Sequence, residues 1–209
     1  MSGPKGRGLP EWHSFQYIYS KPIAMRILTK EQQKLIIEFI DADILADELE
    51  EALGPISLDT SSLLMALMES AIASGKAEEA DAAIGIAYGF KNDKAFGKRA
   101  VLPLLALLAM EGHYRHEDIT SILQRIKDSR AVGGLYDAAL IYHSYLAYDD
   151  TSALARKCTW ALADIGNEAA YRKLQLLASN PNAHLAGYAQ KRIHSWENEQ
   201  DRKAFHFLP

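Results

Sequence analysis

The chain has 209 residues, 48% of them apolar, which is enough to bury a core in one domain or two small ones. Its single cysteine, Cys158, excludes an internal disulfide and a cysteine-based zinc site. The net charge of -4 averages an acidic part and a mildly basic one: 13 acidic against 3 basic residues from Lys30 to Phe90, then 14 basic against 10 acidic from Lys91 to Trp196.

Residues 1–26 show no helical period. The stretch MSGPKGRG is flexible by composition and lacks the apolar segment of a secretory leader. The longest apolar run, Ala100 to Met110, is too short to span a bilayer. A soluble, cytoplasmic protein with no membrane contact is the expectation. Phe15, Tyr17 and Tyr19 alternate with Ser14, Gln16 and Ile18, which predicts a short extended segment covering one end of a helical stack.

Thr29 to Leu53 reads as helix. Thr29 and Gln32 form a capping-box pattern, and Leu35, Ile36, Phe39 and Ile40 begin an apolar stripe that resumes at Leu45, Leu49 and Leu53. Its second half, DADILADELEE, puts Asp43, Asp47, Glu50 and Glu51 on the face opposite that stripe. Like charges so spaced cost a helix a few tenths of a kcal/mol each, roughly. With Glu48, and with Glu78 and Glu79 further along, this face is a candidate surface for a cationic partner. A metal is a weaker reading of the same carboxylates, since no calcium-loop pattern is present.

Asp59 to Ser74 and Ala77 to Phe90 predict an antiparallel helix pair, with Gly75 stopping the first and Ala80, Ala83, Ile84, Ala87 and Tyr88 inward on the second. Ala95 to Met110 predicts one element bent at Pro103. The stretch EGHYRHED, residues 111–118, gathers Glu111, His113, His116, Glu117 and Asp118, but Gly112 marks a helix junction and no HExxH is present. A polar interhelix loop is the better reading. Glu117 to Lys127 and Leu135 to Tyr148 are further helices. The second holds His143, read as a hydrogen-bonded core residue, and Tyr136, Tyr142, Tyr145 and Tyr148, read as a seam between repeats.

The stretch from Asp149 to Trp196 carries a repeat. Leu154, Cys158, Leu162 and Ile165 fall at 0, +4, +8 and +11, and Leu185, Ala189, Ile193 and Trp196 restate that spacing 31 residues later. Gly166 ends the first helix, Asn167 caps the next, and Asn180-Pro181-Asn182 turns into the third. Cys158 lies on the apolar stripe and reads as a small buried hydrophobe.

This segment resembles HEAT-type helical repeats, particularly the bacterial kind, through Leu154, Ala161, Leu162, Ile165, Gly166, Leu185, Ala189 and Ile193. It departs from them where Ala155 and Ala186 stand in place of the usual arginine. The resemblance implies an all-α fold, an α-solenoid of antiparallel helix pairs (HEAT-like or ARM-like superhelix), over residues 27–196, with a C-terminal tail at 197–209. Function lies in sites and not in folds.

No nucleotide loop, nucleophile elbow or other catalytic constellation emerges, and no cofactor is implied. The expected function is a non-enzymatic protein-binding module. More specifically, it is an immunity protein that neutralises a cationic bacterial toxin domain, such as a nuclease, through the acidic surface. The alternative follows a resemblance to the alkylpurine DNA glycosylases. It would use Arg156, Lys157, Arg172, Lys173, Lys191 and Arg192 as a basic groove, Trp160 as a stacking ring and Asp164 as the acid. The net acidic charge and the adjacent pairing of those bases argue against nucleic acid.

Overall fold

The computed structural model describes residues 60–89, 97–146 and 152–198. Among them the chain is all-α, with no strand. Its α-helices are α1 Thr60–Ser74, α2 Ala77–Gly89, α3 Val101–Leu108, α4 His116–Ile126, α5 Val132–Ala139, α6 Ala153–Ile165, α7 Glu168–Ala178 and α8 Ala183–His194. Short 3-10 turns lead into α3 at Gly97–Ala100 and into α5 at Ser129–Ala131, and a third spans Ser144–Leu146.

Helix packing follows a regular rule. α1 lies on α2, α3 on α4, α5 on α6 and α7 on α8. In addition α1 packs on α3, α3 on α5 and α5 on α7, while α2 packs on α4, α4 on α6 and α6 on α8. One core runs through the whole arrangement, from Leu64 and Met68 through Leu104, Ile122 and Leu135 to Leu162, Leu174 and Ala189. Each large aliphatic side chain taken out of water there stabilises the fold by roughly 1.5–3 kcal/mol.

The repeated stripe faces inward on both helices. Leu154, Cys158 and Leu162 of α6 and Leu185 and Ala189 of α8 are buried, and Ile165, Ile193 and Trp196 pack against them. Small residues admit close neighbours: a Cβ built on Gly134 of α5 would stand 2.5 Å from Leu105 Cδ2 of α3. Pro103 falls in the first turn of α3, where its missing N–H leaves no hydrogen bond unmade, so the bent element is a 3-10 turn running into a helix.

Three expectations need correction. The helix predicted from Leu135 to Tyr148 stops at Ala139, and residues 140–146 form a connector that runs to the start of α4. Tyr136 is partly buried under Lys173, Tyr142 is 79% exposed and Tyr145 meets a histidine cluster, so these three tyrosines form no common seam, and Tyr148 lies outside the described residues. Tyr88, expected inward, is exposed, with the Arg125 guanidinium 5.6 Å from its ring centroid.

Candidate functional site

Of the acidic candidates, Asp43, Asp47, Glu48, Glu50 and Glu51 lie outside the described residues, as do the predicted N-terminal segment and the C-terminal tail beyond 198. Glu78 and Glu79 both open α2, where a carboxylate suits the helix dipole. Glu78 is exposed. Glu79 is not free for a partner: it accepts hydrogen bonds from Ser70 Oγ at 3.3 Å, Ser74 Oγ at 2.9 Å and Lys76 Nζ at 3.0 Å, and so fastens α1 to α2. The charge asymmetry persists in the packed helices. Residues 60–89 hold four acidic side chains (Glu69, Glu78, Glu79, Asp81) against Lys76 alone. Residues 152–198 hold six basic ones (Arg156, Lys157, Arg172, Lys173, Lys191, Arg192) against Asp164, Glu168 and Glu197.

Most of those six bases are occupied inside the fold. Lys157 Nζ is 3.7 Å from Glu117, Arg172 pairs with Glu168, Lys173 lies 4.0 Å over the Tyr136 ring, and Arg192 lies 3.6 Å over the Trp160 ring. Asp164 accepts from Gln124 Nε2 at 2.5 Å. Trp160 is 41% exposed, yet one ring face is covered by the Arg192 guanidinium.

The densest polar arrangement lies at the corner between α3 and α4. His113 and His116 are each 1% exposed, with rings stacked 4.0 Å apart and 10° from parallel. His143, from the connector after α5, adds a third ring 3.9 Å from His116. Their hydrogen bonds dictate their protonation. His113 Nε2 lies 2.8 Å from the Leu107 carbonyl oxygen, which only accepts, so that nitrogen carries the proton. Its Nδ1 accepts from the Arg115 backbone N–H at 3.1 Å. His116 repeats the pattern: Nε2 donates to the Met110 carbonyl at 3.0 Å, and Nδ1 takes the Tyr145 hydroxyl proton at 2.8 Å. Both rings are neutral Nε2–H tautomers, and both lone pairs are in use. Neither is a ready base or metal ligand.

The surroundings act in the same direction. Burial, reinforced by the other two imidazoles, pushes His116 down to about 3. Burial also lowers His113 and His143, against the raising influence of Asp81 on the first and Glu111 on the second. Burial pushes the Tyr145 hydroxyl up to about 12, so it stays a donor. Tyr114 packs edge-on against Tyr145 at 5.1 Å, and its backbone N–H donates to Asp81 of α2 at 2.8 Å. Among the described residues His143 Nε2 is buried without a hydrogen-bond partner.

The polar-loop reading of 111–118 holds for Glu111, Gly112 and Tyr114, which are exposed, and fails for the two histidines. His113 and His116 stand at i,i+3 across a helix start, which is a weak signal that two rings share a side. Nothing local marks His143 or Tyr145 as their partners. Among the described residues no group of three or more His, Cys, Asp or Glu is arranged to hold a metal ion. Cys158 is buried against Thr120 Oγ1 at 3.9 Å, and burial pushes its thiol up to about 12, so it is no nucleophile at neutral pH.

A groove of about 360 Å³ opens beside the connector. Leu140, Ile141, Tyr142 and His143 form one wall, and Ser152 to Ala155, Asn180, Asn182 and Leu185 the other. Leu140 and Ile141 are about half exposed at 45% and 49%. No helix of the described residues is long and apolar enough to cross a membrane. No family model, curated protein or solved structure matches the chain.

Proposed function

We propose that the protein is a non-catalytic binding module built as an α-solenoid of antiparallel helix pairs of the HEAT-like kind, and that its partner is a cationic protein domain. The packing of each helix on the next but one supports the solenoid. The most specific form of this reading is a bacterial cytoplasmic immunity protein that neutralises a toxin. The observation that carries it is the division of charge along the order of packed helices: acidic side chains prevail in α1 and α2, and basic ones in α6 to α8. A cationic cleft is drawn to the acidic end and repelled by the other, which sets both encounter rate and orientation. Asp43, Asp47, Glu48, Glu50, Glu51 and Glu78 carry the attraction on this reading. Glu79 is withdrawn from the set, because it is spent on Ser70, Ser74 and Lys76.

The test is co-purification of partners from the cells that make the protein, with the wild type and with a variant reversing Asp43, Asp47, Glu50, Glu51 and Glu78 to lysine. The expected result is a basic protein captured by the wild type, released by about 0.5 M salt, where screening is strong, and absent from the variant. A partner kept equally by the variant at high salt would overturn the reading.

A further inference from the structure

The connector 140–146 is held at the α4 start by two side chains of unusual chemistry for that task. The His143 ring lies 3.9 Å from that of His116, tilted by 37°, and Tyr145 donates a hydrogen bond from its hydroxyl to His116 Nδ1 at 2.8 Å. His116 in turn stacks on His113 at 4.0 Å. The Arg115 N–H bond requires a bare Nδ1 on His113, and Tyr145 donates to His116 only while that ring's Nδ1 is bare. A proton on His113 Nδ1 would face the Arg115 N–H that now donates to it. A proton on His116 Nδ1 would reverse the bond, so that the Tyr145 oxygen accepts and its O–H needs another partner. A charge on His113 would lose the Arg115 N–H bond, and a charge on any of the three rings would be held against the other imidazoles, so the arrangement favours the uncharged state.

We infer that the three packed imidazoles form an acid-released latch: neutral, they hold the connector against α4, and uptake of a proton by His143 frees it. His143 is the trigger because it is the least buried of the three rings and belongs to the segment that moves. The other titratable and charged groups facing the cluster are Asp81 from α2, Glu111, Tyr114 and Arg115 from the α3–α4 corner, Glu117 and Asp118 from α4, and Tyr145 from the connector itself. Lys157 and Cys158 of α6 stand one step further out, against Glu117 and Thr120. Asp81 and Glu111 favour a proton on His113 and His143, but neither forms an ion pair with them, and burial outweighs both.

Leaving the stack returns His143 to water and to an ordinary pKa of about 6.5. Each pH unit below that value then moves the closed-to-open ratio up to tenfold toward the open connector, as long as the ring stays neutral in the closed form. The groove wall of Leu140, Ile141 and Tyr142 is part of the same segment and moves with it. This proposal does not depend on the partner proposed above.

The test is amide hydrogen exchange on the full chain at pH 7.5, 6.5, 5.5 and 5.0, corrected for the intrinsic pH dependence of exchange. Peptides over 140–146 contain the Ile141 and Leu146 amides, which bond to the Ala138 and His143 carbonyls, and peptides over 168–194 serve as the internal reference. The expected result is a fall in connector protection from pH 7.5 to 5.0 at least tenfold larger than the fall in the reference peptides, which register any loss of global stability. His143→Phe keeps an aromatic ring without a titratable nitrogen, and should shift the fall downward by about one pH unit or remove it. A connector as protected at pH 5.0 as at 7.5 would overturn the proposal. So would parallel loss in the reference peptides, or an unshifted fall in His143→Phe. If that variant fails to fold, histidine ring-proton titration of the wild type by NMR decides: His143 must be the first ring of the cluster to take a proton as the connector opens.

Discussion

The corner between α6 and α7 uses two residues, Gly166 and Asn167, whereas the corner between α3 and α4 uses seven, from Ala109 to Arg115. The short corner is built from local chemistry. Gly166 takes φ 69°, and its N–H returns to the Leu162 carbonyl at 3.3 Å, while Asn167 Oδ1 caps the Ala170 N–H at 2.8 Å. The long corner has no side-chain cap at the start of α4. The Met110 carbonyl there, and the Leu107 carbonyl at the end of α3 that also takes the Met110 N–H, accept from two buried imidazoles, and those imidazoles are covered by a connector about thirty residues further along. A corner closed by its own residues is insensitive to what packs on it. A corner closed by distant side chains depends on the tertiary fold and on pH.

That contrast can be broken most strongly at His116. His116→Ala removes the central ring, strands the Met110 carbonyl and the Tyr145 hydroxyl, and leaves a void, so it should cost about 3 kcal/mol or more of unfolding free energy in urea titration. A cost below about 1 kcal/mol would mean that the cluster is incidental to the corner. Acid should have the next largest effect. The pKa of His116 is depressed in the folded chain to about 3, and that of His113 is also lowered, so below about pH 6.5 the unfolded chain binds protons that the folded one does not. Stability from these groups is complete above about pH 7 and declines as pH falls, by about 1.4 kcal/mol for His116 between pH 7.5 and 5.5, with His113 adding in the same direction. Urea midpoints that stay level across that interval would contradict the neutral assignment.

Smaller changes sharpen the other side of the comparison. Asn167→Ala removes one cap from the short corner and should cost about 1 kcal/mol, with the same loss at pH 7.5 and 5.5, because an amide oxygen and a backbone N–H make the bond and neither titrates. The smallest effect belongs to Lys127, which ends α4 in the left-handed region at φ 54°, the role Gly166 plays at the end of α6. Lys127→Gly should stabilise the protein by roughly 0.5–1 kcal/mol in thermal melts, since the exposed lysine side chain is strained there and glycine is not.

The same division explains what the chain order revealed. The stripe of Leu154, Cys158 and Leu162, its restatement at Leu185 and Ala189, and the caps at Asn167 and Asn182 are set by spacing within one helix or turn, and the fold realises each of them. The end of α5 was misread because Leu140 and Ile141 prolong an apolar run. No propensity records that His143 and Tyr145 are drawn to a ring at position 116, which takes the chain off the helix at Leu140. Glu78 and Glu79 differ for a related reason. Adjacent glutamates look alike in sequence, yet only one reaches Ser70 and Ser74 across the α1–α2 turn. The acidic surface from Asp43 to Glu51 lies outside the described residues, so its legibility rests on its sequence pattern.

Cys158 has a practical consequence. The chain holds a single thiol, it is sealed between α4 and α6 against Thr120, and burial keeps it protonated. A thiol-specific reagent can modify it only in molecules where that seam has parted. The native protein thus carries its own stopwatch: under conditions where modification is fast, the rate of label uptake counts how often the middle of the helix stack comes apart, with no probe engineered into it.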